Sequence, residues 1–123
     1  MRPVLAACAA LLGASGVLAG AFGAHGLAAL VAPERLELWR TAVLYQLLHA
    51  PLAYFLAAVP ARGGARLAGW LFVAGSLLFS GSLYLLVLGD QPRWGIATPV
   101  GGSLLIAGWV VLALASLGRR GRP

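Results

Sequence analysis

Charged residues along this chain fall into tight groups and leave four long uncharged stretches, 3–33, 41–61, 67–89 and 94–118. Each is dominated by Leu, Ala, Val and Gly, with few polar side chains. A transmembrane helix needs about 20 mostly apolar residues to cross roughly 30 Å of hydrocarbon, and all four stretches are long enough. A soluble four-helix bundle would carry a charged face on every helix, and none of these stretches does. The pattern predicts an all-α integral membrane four-helix bundle. It reads as one domain over 1–123, with spans at about 4–27, 37–59, 67–88 and 97–117.

Local punctuation agrees with that division. Pro33 and Glu34 suit the first turn of a second helix, since Pro at that position loses no bond and an acid is favoured at a helix N-terminus. Pro51 lies inside the same helix and is expected to kink it, freeing the carbonyl of Leu47. Pro60 with Gly63-Gly64 reads as a turn before a third helix from about Arg66, and Gly89-Asp90-Gln91-Pro92 as the next turn. Thr98-Pro99 reads as N-cap and first helical position of the fourth helix. Trp39, Trp70 and Trp94 fall near span ends, where interfacial aromatics are expected. Trp109 does not, and should face lipid or fill the bundle.

Small residues form stripes at helical period. Ala9, Gly13, Gly16, Gly20 and Gly23 share one face of the first helix, and Gly101, Gly108 and Ala115 repeat at heptad spacing on the fourth. In lipid, helices associate through close packing, which glycine permits. Gly13, Gly16, Gly20, Gly23, Gly101 and Gly108 are therefore the candidate helix-packing positions. The Gly16/Gly20 pair fits either a dimer face or packing within the chain.

Composition adds little to fold but much to threading. The chain is 61% hydrophobic and 10% charged, with nine Arg, three acids and a net charge of +6. No nucleic acid partner is needed to explain that excess. Arg2, Arg62, Arg66, Arg119, Arg120 and Arg122 stand at one set of alternating ends without an acid. The other set holds Arg35, Arg40 and Arg93 with all the acids, Glu34, Glu37 and Asp90. Short loops rich in Arg stay cytoplasmic, so both termini are expected inside, and the basic tail is also suited to anionic headgroups. The apolar run after Arg2 outlasts a signal-peptide core, which favours an uncleaved first span. Cys8 has too few residues before it for a lipoprotein signal, and a lone Cys forms no intrachain bridge.

The polar residues within the spans are the candidate chemistry. The four stretches hold no charged side chain, so only His25 and His49 titrate near neutral pH at depth. Proton-coupled transport generally relies on intramembrane carboxylates. Thr41, Tyr45 and His49 stand at helical spacing on the second helix, with Gln46 beside them, and Ser76, Ser80 and Tyr84 repeat the spacing on the third. Counting rise from the outer ends puts Tyr45 at about 12 Å, His49 at about 18 Å, Tyr84 at about 7 Å, Ser80 at about 13 Å and Ser76 at about 20 Å depth. These levels match, and Thr98 is about 7 Å deep by the same count. His25, Tyr45, Gln46, His49, Ser80, Tyr84 and Thr98 are thus a candidate polar pocket in the outer half. The alternative is plain interhelical hydrogen bonding, with Ser76 and Ser80 as partners of His49. The two His differ in depth by roughly 10–15 Å, and no third ligand completes a metal site. No metal or other cofactor is expected. No acid orients either His, so hydrolase chemistry is unsupported.

The segments Gly20-Ala21-Phe22-Gly23-Ala24-His25-Gly26-Leu27, Tyr45-Gln46-Leu47-Leu48-His49, Phe79-Ser80-Gly81-Ser82-Leu83-Tyr84, Thr98-Pro99-Val100-Gly101-Gly102 and Ala107-Gly108-Trp109 are distinctive together. In this order and spacing the chain resembles the YgdD-like family of small bacterial inner-membrane proteins, a group of unknown function with small eukaryotic relatives. The resemblance covers nearly the whole chain. It implies four spans and makes both His family-motif positions, but it implies no activity. The expectation is a multi-pass protein of the bacterial inner membrane, not an enzyme, with a structural or accessory role. The alternative is a small transporter, channel, or lipid- or small-molecule-binding protein using the polar pocket. Its environment is the lipid bilayer, and a second copy or another membrane protein is the open choice of partner.

Overall fold

Four long helices follow the four uncharged stretches. The computed structural model describes residues 2–60, 63–89 and 91–118. In it α1 runs Pro3–His25, α2 Pro33–Ala58, α3 Gly63–Gly89 and α4 Ala97–Gly118. Short 3-10 helices at Leu27–Ala29 and Pro92–Ile96 stand before α2 and α4, and the described residues contain no strand. All four helices are long and apolar enough to cross a membrane. Pro3 and Pro33 open α1 and α2, with Glu34 in the first turn of α2. Pro60, which restricts the residue before it to extended backbone, follows Val59 at ψ 151 and stops α2.

The helices pack in chain order. α2 lies between α1 and α3, and α3 lies between α2 and α4. The α4 backbone approaches neither α1 nor α2, so its close backbone packing is with α3 and the 3-10 turn that leads into it. The bundle is therefore open, with two grooved flanks. In water such grooves would be a liability, but in a bilayer they face lipid.

Small residues set both outer seams. Between α1 and α2, a Cβ added at Gly16 would meet Leu47 at 2.7 Å, one at Gly23 the Trp39 ring at 2.6 Å and one at Gly20 Val43 at 3.3 Å, while at Gly13 the nearest atom is Ala50 Cβ at 4.0 Å. The α1 stripe thus faces α2 of the same chain. Between α3 and α4, a Cβ at Gly101 would fall on the main chain of Phe79, one at Gly108 would meet the Phe72 ring at 2.7 Å, and one at Gly64 would meet Ala115 at 2.9 Å. The heptad-spaced stripe of α4 is thereby matched step by step along antiparallel α3.

Three local expectations are corrected. Gly63 and Gly64 do not form a turn but open α3, because a bare Gly64 admits Ala115. Thr98 lies inside the first turn of α4, and its hydroxyl bonds Ser82 across the seam. Trp39, expected as an interfacial ring, is buried inside the bundle. Its indole fills the notch left by Gly23, donates to the Ala19 carbonyl at 2.8 Å and packs against Tyr84 at a tilt, with centroids 4.5 Å apart. The expected turn residue Asp90 and the basic positions Arg62, Arg119, Arg120 and Arg122 lie outside the described residues.

Candidate functional site

Buried polar residues concentrate in the middle of α2 and α3: Gln46, His49, Ser76, Ser80 and Ser82. They divide apolar clusters at the two ends of the helices, one around Leu5, Ala53 and Phe72 and one around Leu27, Trp39 and Val87. A polar group in hydrocarbon is costly unless bonded, so the partners of each side chain decide what the band can do.

Gln46, 3% exposed, joins three helices. Its Nε2 donates to the Leu12 carbonyl and to the Ser15 hydroxyl of α1, both at 2.8 Å, and its Oε1 accepts the Tyr84 hydroxyl of α3 at 2.7 Å. The amide has one sensible orientation, since a carbonyl such as Leu12 O can only accept. One turn away the Ser80 hydroxyl donates to the Ala42 carbonyl at 2.7 Å, a second tie between α3 and α2. Ser82 donates to Phe79 O at 2.9 Å and lies 2.6 Å from the Thr98 hydroxyl. Because the Ser82 proton is already committed to Phe79, Thr98 is the donor that ties α4 to α3.

His49, 6% exposed, spans the open flank between α2 and α4. Its Nδ1 lies 2.7 Å from the Tyr45 carbonyl, one turn back, so Nδ1 carries the proton. Its Nε2 then accepts the Trp109 indole N–H at 3.1 Å. Phe72 packs against both rings, with centroids at 5.4 Å from His49 and 5.2 Å from Trp109. A neutral imidazole offers one donor and one acceptor, and both are in use.

The seven candidate residues therefore do not line one pocket. Gln46 and Tyr84 meet on the α1 side of the α2–α3 seam. Tyr45 and His49 stack on the α4 side with centroids 6.3 Å apart, Tyr45 being partly exposed. Ser80 lies in the seam, and Thr98 pairs with Ser82. His25 stands exposed at the last position of α1 and bonds none of the others. The expected pairing of His49 with Ser76 and Ser80 is replaced by Trp109, because Ser80 turns to the Ala42 carbonyl while positions 45 and 49 face the α4 flank. Trp109, Ser15 and Ser82 are the members that sequence reasoning missed. Trp109 had a usable signal, since an indole N–H far from the span ends needs an acceptor. Among the described residues no three His, Cys, Asp or Glu come together as a metal site.

Residues 19–102 match the sequence family described as a protein of unknown function, DUF423. That range holds the network apart from Leu12, Ser15 and Trp109. The chain belongs to the DUF423 family. Relatives of this DUF423 protein include a UPF0382 membrane protein of Staphylococcus aureus, 40% identical over 99 residues, covering 79% of this chain and 81% of the relative. The UPF0382 membrane protein YwdK of Bacillus subtilis is 41% identical over 103 residues, 80% of this chain and 83% of its own. A UPF0382 membrane protein of Schizosaccharomyces pombe is 38% identical over 110 residues, 85% of this chain and 93% of its own. No solved structure matches. With relatives named as membrane proteins and four apolar helices of spanning length, this DUF423 chain is a four-helix integral membrane protein.

Proposed function

We propose that this DUF423 protein works without catalysis, as a structural or accessory component of the bacterial inner membrane. The observation that carries this reading is the closed bonding of Gln46 and His49. Both amide protons of Gln46 and both ring nitrogens of His49 are committed to partners on α1, α2 and α4. Such bonds contribute about 0.6 kcal/mol each in membrane proteins, a scale that suits holding helices together. The acceptor nitrogen of His49 faces an indole N–H, a group that gives up no proton near neutral pH, so the bond serves as a tie and delivers no proton.

His49 is the residue on which to test it. His49→Gln keeps an acceptor for Trp109 and is expected to stay near the parent in stability. His49→Leu orphans the indole N–H, with an expected loss of about 1–3 kcal/mol. Unfolding in detergent, followed by Trp fluorescence, measures both. A strain lacking the gene, grown in competition with its parent, should be restored by His49→Gln. A folded His49→Gln protein that restores nothing would overturn the non-catalytic reading.

Threading is part of the proposal, with both termini in the cytoplasm. The Arg2 backbone N–H donates to the Ala57 carbonyl at 3.0 Å, so the start of α1 shares an end with the close of α2 and the start of α3. Arg35, from the opposite end, donates to the Leu86 carbonyl at 3.1 Å. These contacts support grouping the acid-free Arg positions at one end, the arrangement that keeps an end inside. A phosphatase reporter active only outside the cytoplasm, fused after Pro123, should be silent. Strong activity there would reverse the threading.

A further inference from the structure

α1 and α3 barely touch, and the groove between them is floored by Gln46 of α2. It is a hollow of about 310 Å³ whose polar lining is Ser15, Gln46, Ser76 and Tyr84, with exposed Ser15 and Leu77 at its rim. That volume lies at the small end of the ~300–1,000 Å³ typical of ligand sites. The rim is on the lipid-facing surface of a membrane protein, so whatever enters comes from the bilayer.

Ser76 makes this groove unlike an ordinary packing defect. It is 1% exposed, and its hydroxyl oxygen is buried with no hydrogen-bond partner. The other five serines are all bonded. Ser15, Ser82, Ser103 and Ser116 donate to a carbonyl three or four residues back, and Ser80 donates to Ala42. A hydroxyl left unbonded in hydrocarbon is costly, which points to a partner supplied from outside the chain.

The remaining bonding capacity of the lining defines that partner. Gln46 has committed both N–H groups, Tyr84 its hydroxyl proton to Gln46, and Ser15 its own to Leu12. The one free donor is the Ser76 O–H. The free acceptors are the unused lone pairs of Gln46 Oε1, Tyr84 Oη, Ser15 Oγ and Ser76 Oγ. A carbonyl would use the donor alone. An ionised group would find no counter-charge, because no charged side chain lines the groove. A hydroxyl uses both kinds of capacity, accepting from Ser76 and donating to a neighbouring oxygen, while an apolar tail runs past Leu12, Ala19 and Leu77 into the bilayer.

The geometry points to the α1–α3 groove as a binding site for the hydroxyl headgroup of an uncharged long-chain alcohol, with Ser76 as its donor. Straight-chain and prenyl alcohols share this chemistry, and competition separates them.

The test uses the full chain in nanodiscs of phosphatidylethanolamine and phosphatidylglycerol. A diazirine-bearing hexadecanol and its methyl ether are photolysed separately, and labelled peptides are mapped by mass spectrometry. The alcohol should label the Leu12–Ala19 and Leu77–Gly81 segments about tenfold more than the ether, the scale of one lost hydrogen bond. Competition by unlabelled hexadecanol or by geranylgeraniol then identifies the chain class. Ser76→Ala should reduce alcohol labelling about tenfold, to the ether level, and should unfold no more easily than the parent. Gly81→Leu is the independent check. A Cβ at Gly81 meets nothing within 4 Å, so the variant should fold, plug the groove and abolish labelling there. Equal labelling by alcohol and ether, or labelling that survives Gly81→Leu, would mean that the groove holds only water or bulk acyl chains, and the proposal would fall.

Discussion

Gly101→Ala is expected to destabilise this protein by about 3 kcal/mol, the upper end of the usual overpacking range. The added methyl carbon would lie 2.7 Å from Phe79 Cα and 2.8 Å from the carbonyl carbon of Leu78. Those atoms belong to the main chain in mid-α3 and have no rotamer into which to retreat. Relief requires moving α4 as a whole, and that motion strains the neighbouring contacts of Gly108 with Phe72 and of Ala115 with Gly64. No other long helix backs α4 at backbone distance, and its one hydrogen bond to α2, from Trp109 to His49, lies far along the helix from Gly101. Gly16 makes the contrast. Its nearest neighbour is a Leu47 methyl at 2.7 Å, the far end of a flexible side chain, and Gly16→Ala should cost about 1 kcal/mol, the low end of the same range. Gly102→Ala is the internal control, because its nearest neighbour is the Phe79 ring at 3.7 Å, an ordinary contact. Alanine's higher helix propensity should leave that variant neutral or up to about 1 kcal/mol more stable. Thermal unfolding in one detergent compares the three. If Gly101→Ala and Gly102→Ala melt together, the α3–α4 seam is looser than described.

Gln46→Leu is the second large effect, with an expected loss of about 2–3 kcal/mol. Three interhelical bonds disappear, at about 0.6 kcal/mol each, and the Tyr84 hydroxyl is left without its acceptor. The Leu12 carbonyl suffers least, because it lies within α1 and still accepts the Ser15 hydroxyl at 3.3 Å. The loss should therefore fall mainly on the Tyr84 partnership. A double-mutant cycle isolates it: Tyr84→Phe alone removes the hydroxyl, and in the Gln46→Leu background the same change should be nearly neutral. Additive costs for the two substitutions would show that they do not communicate, and an unaltered Gln46→Leu protein would remove the amide from the account of the fold.

The spans, their order and their small-residue faces were legible in the sequence for a simple reason. A lipid-exposed helix must satisfy its own backbone and present apolar side chains, so the charge-free runs had to be the helices. A stripe of Gly13, Gly16, Gly20 and Gly23, or of Gly101, Gly108 and Ala115, can serve only close approach. The polar band was legible as composition and depth, since rise alone sets Tyr45 level with Ser80 and His49 level with Ser76. Their partners were not. Spacing fixes which residues share a face of one helix, but not how far that helix is rotated toward each neighbour or which neighbour it has.

Only the tertiary structure decided that α4 packs its backbone against α3 and stands off from α2. That placement sends His49 across the open flank to Trp109 instead of to Ser76, and leaves Gln46 to join α1, α2 and α3. It also decided that Gly23 makes room for Trp39, which turns an expected interfacial ring into a buried one. The single pocket read from matched depths became separate ties because depth is one coordinate of three. The other two come from packing between residues far apart in the chain, where a 2.7 Å contact such as that between Ser80 and Ala42 commits a hydroxyl that the sequence left free to choose.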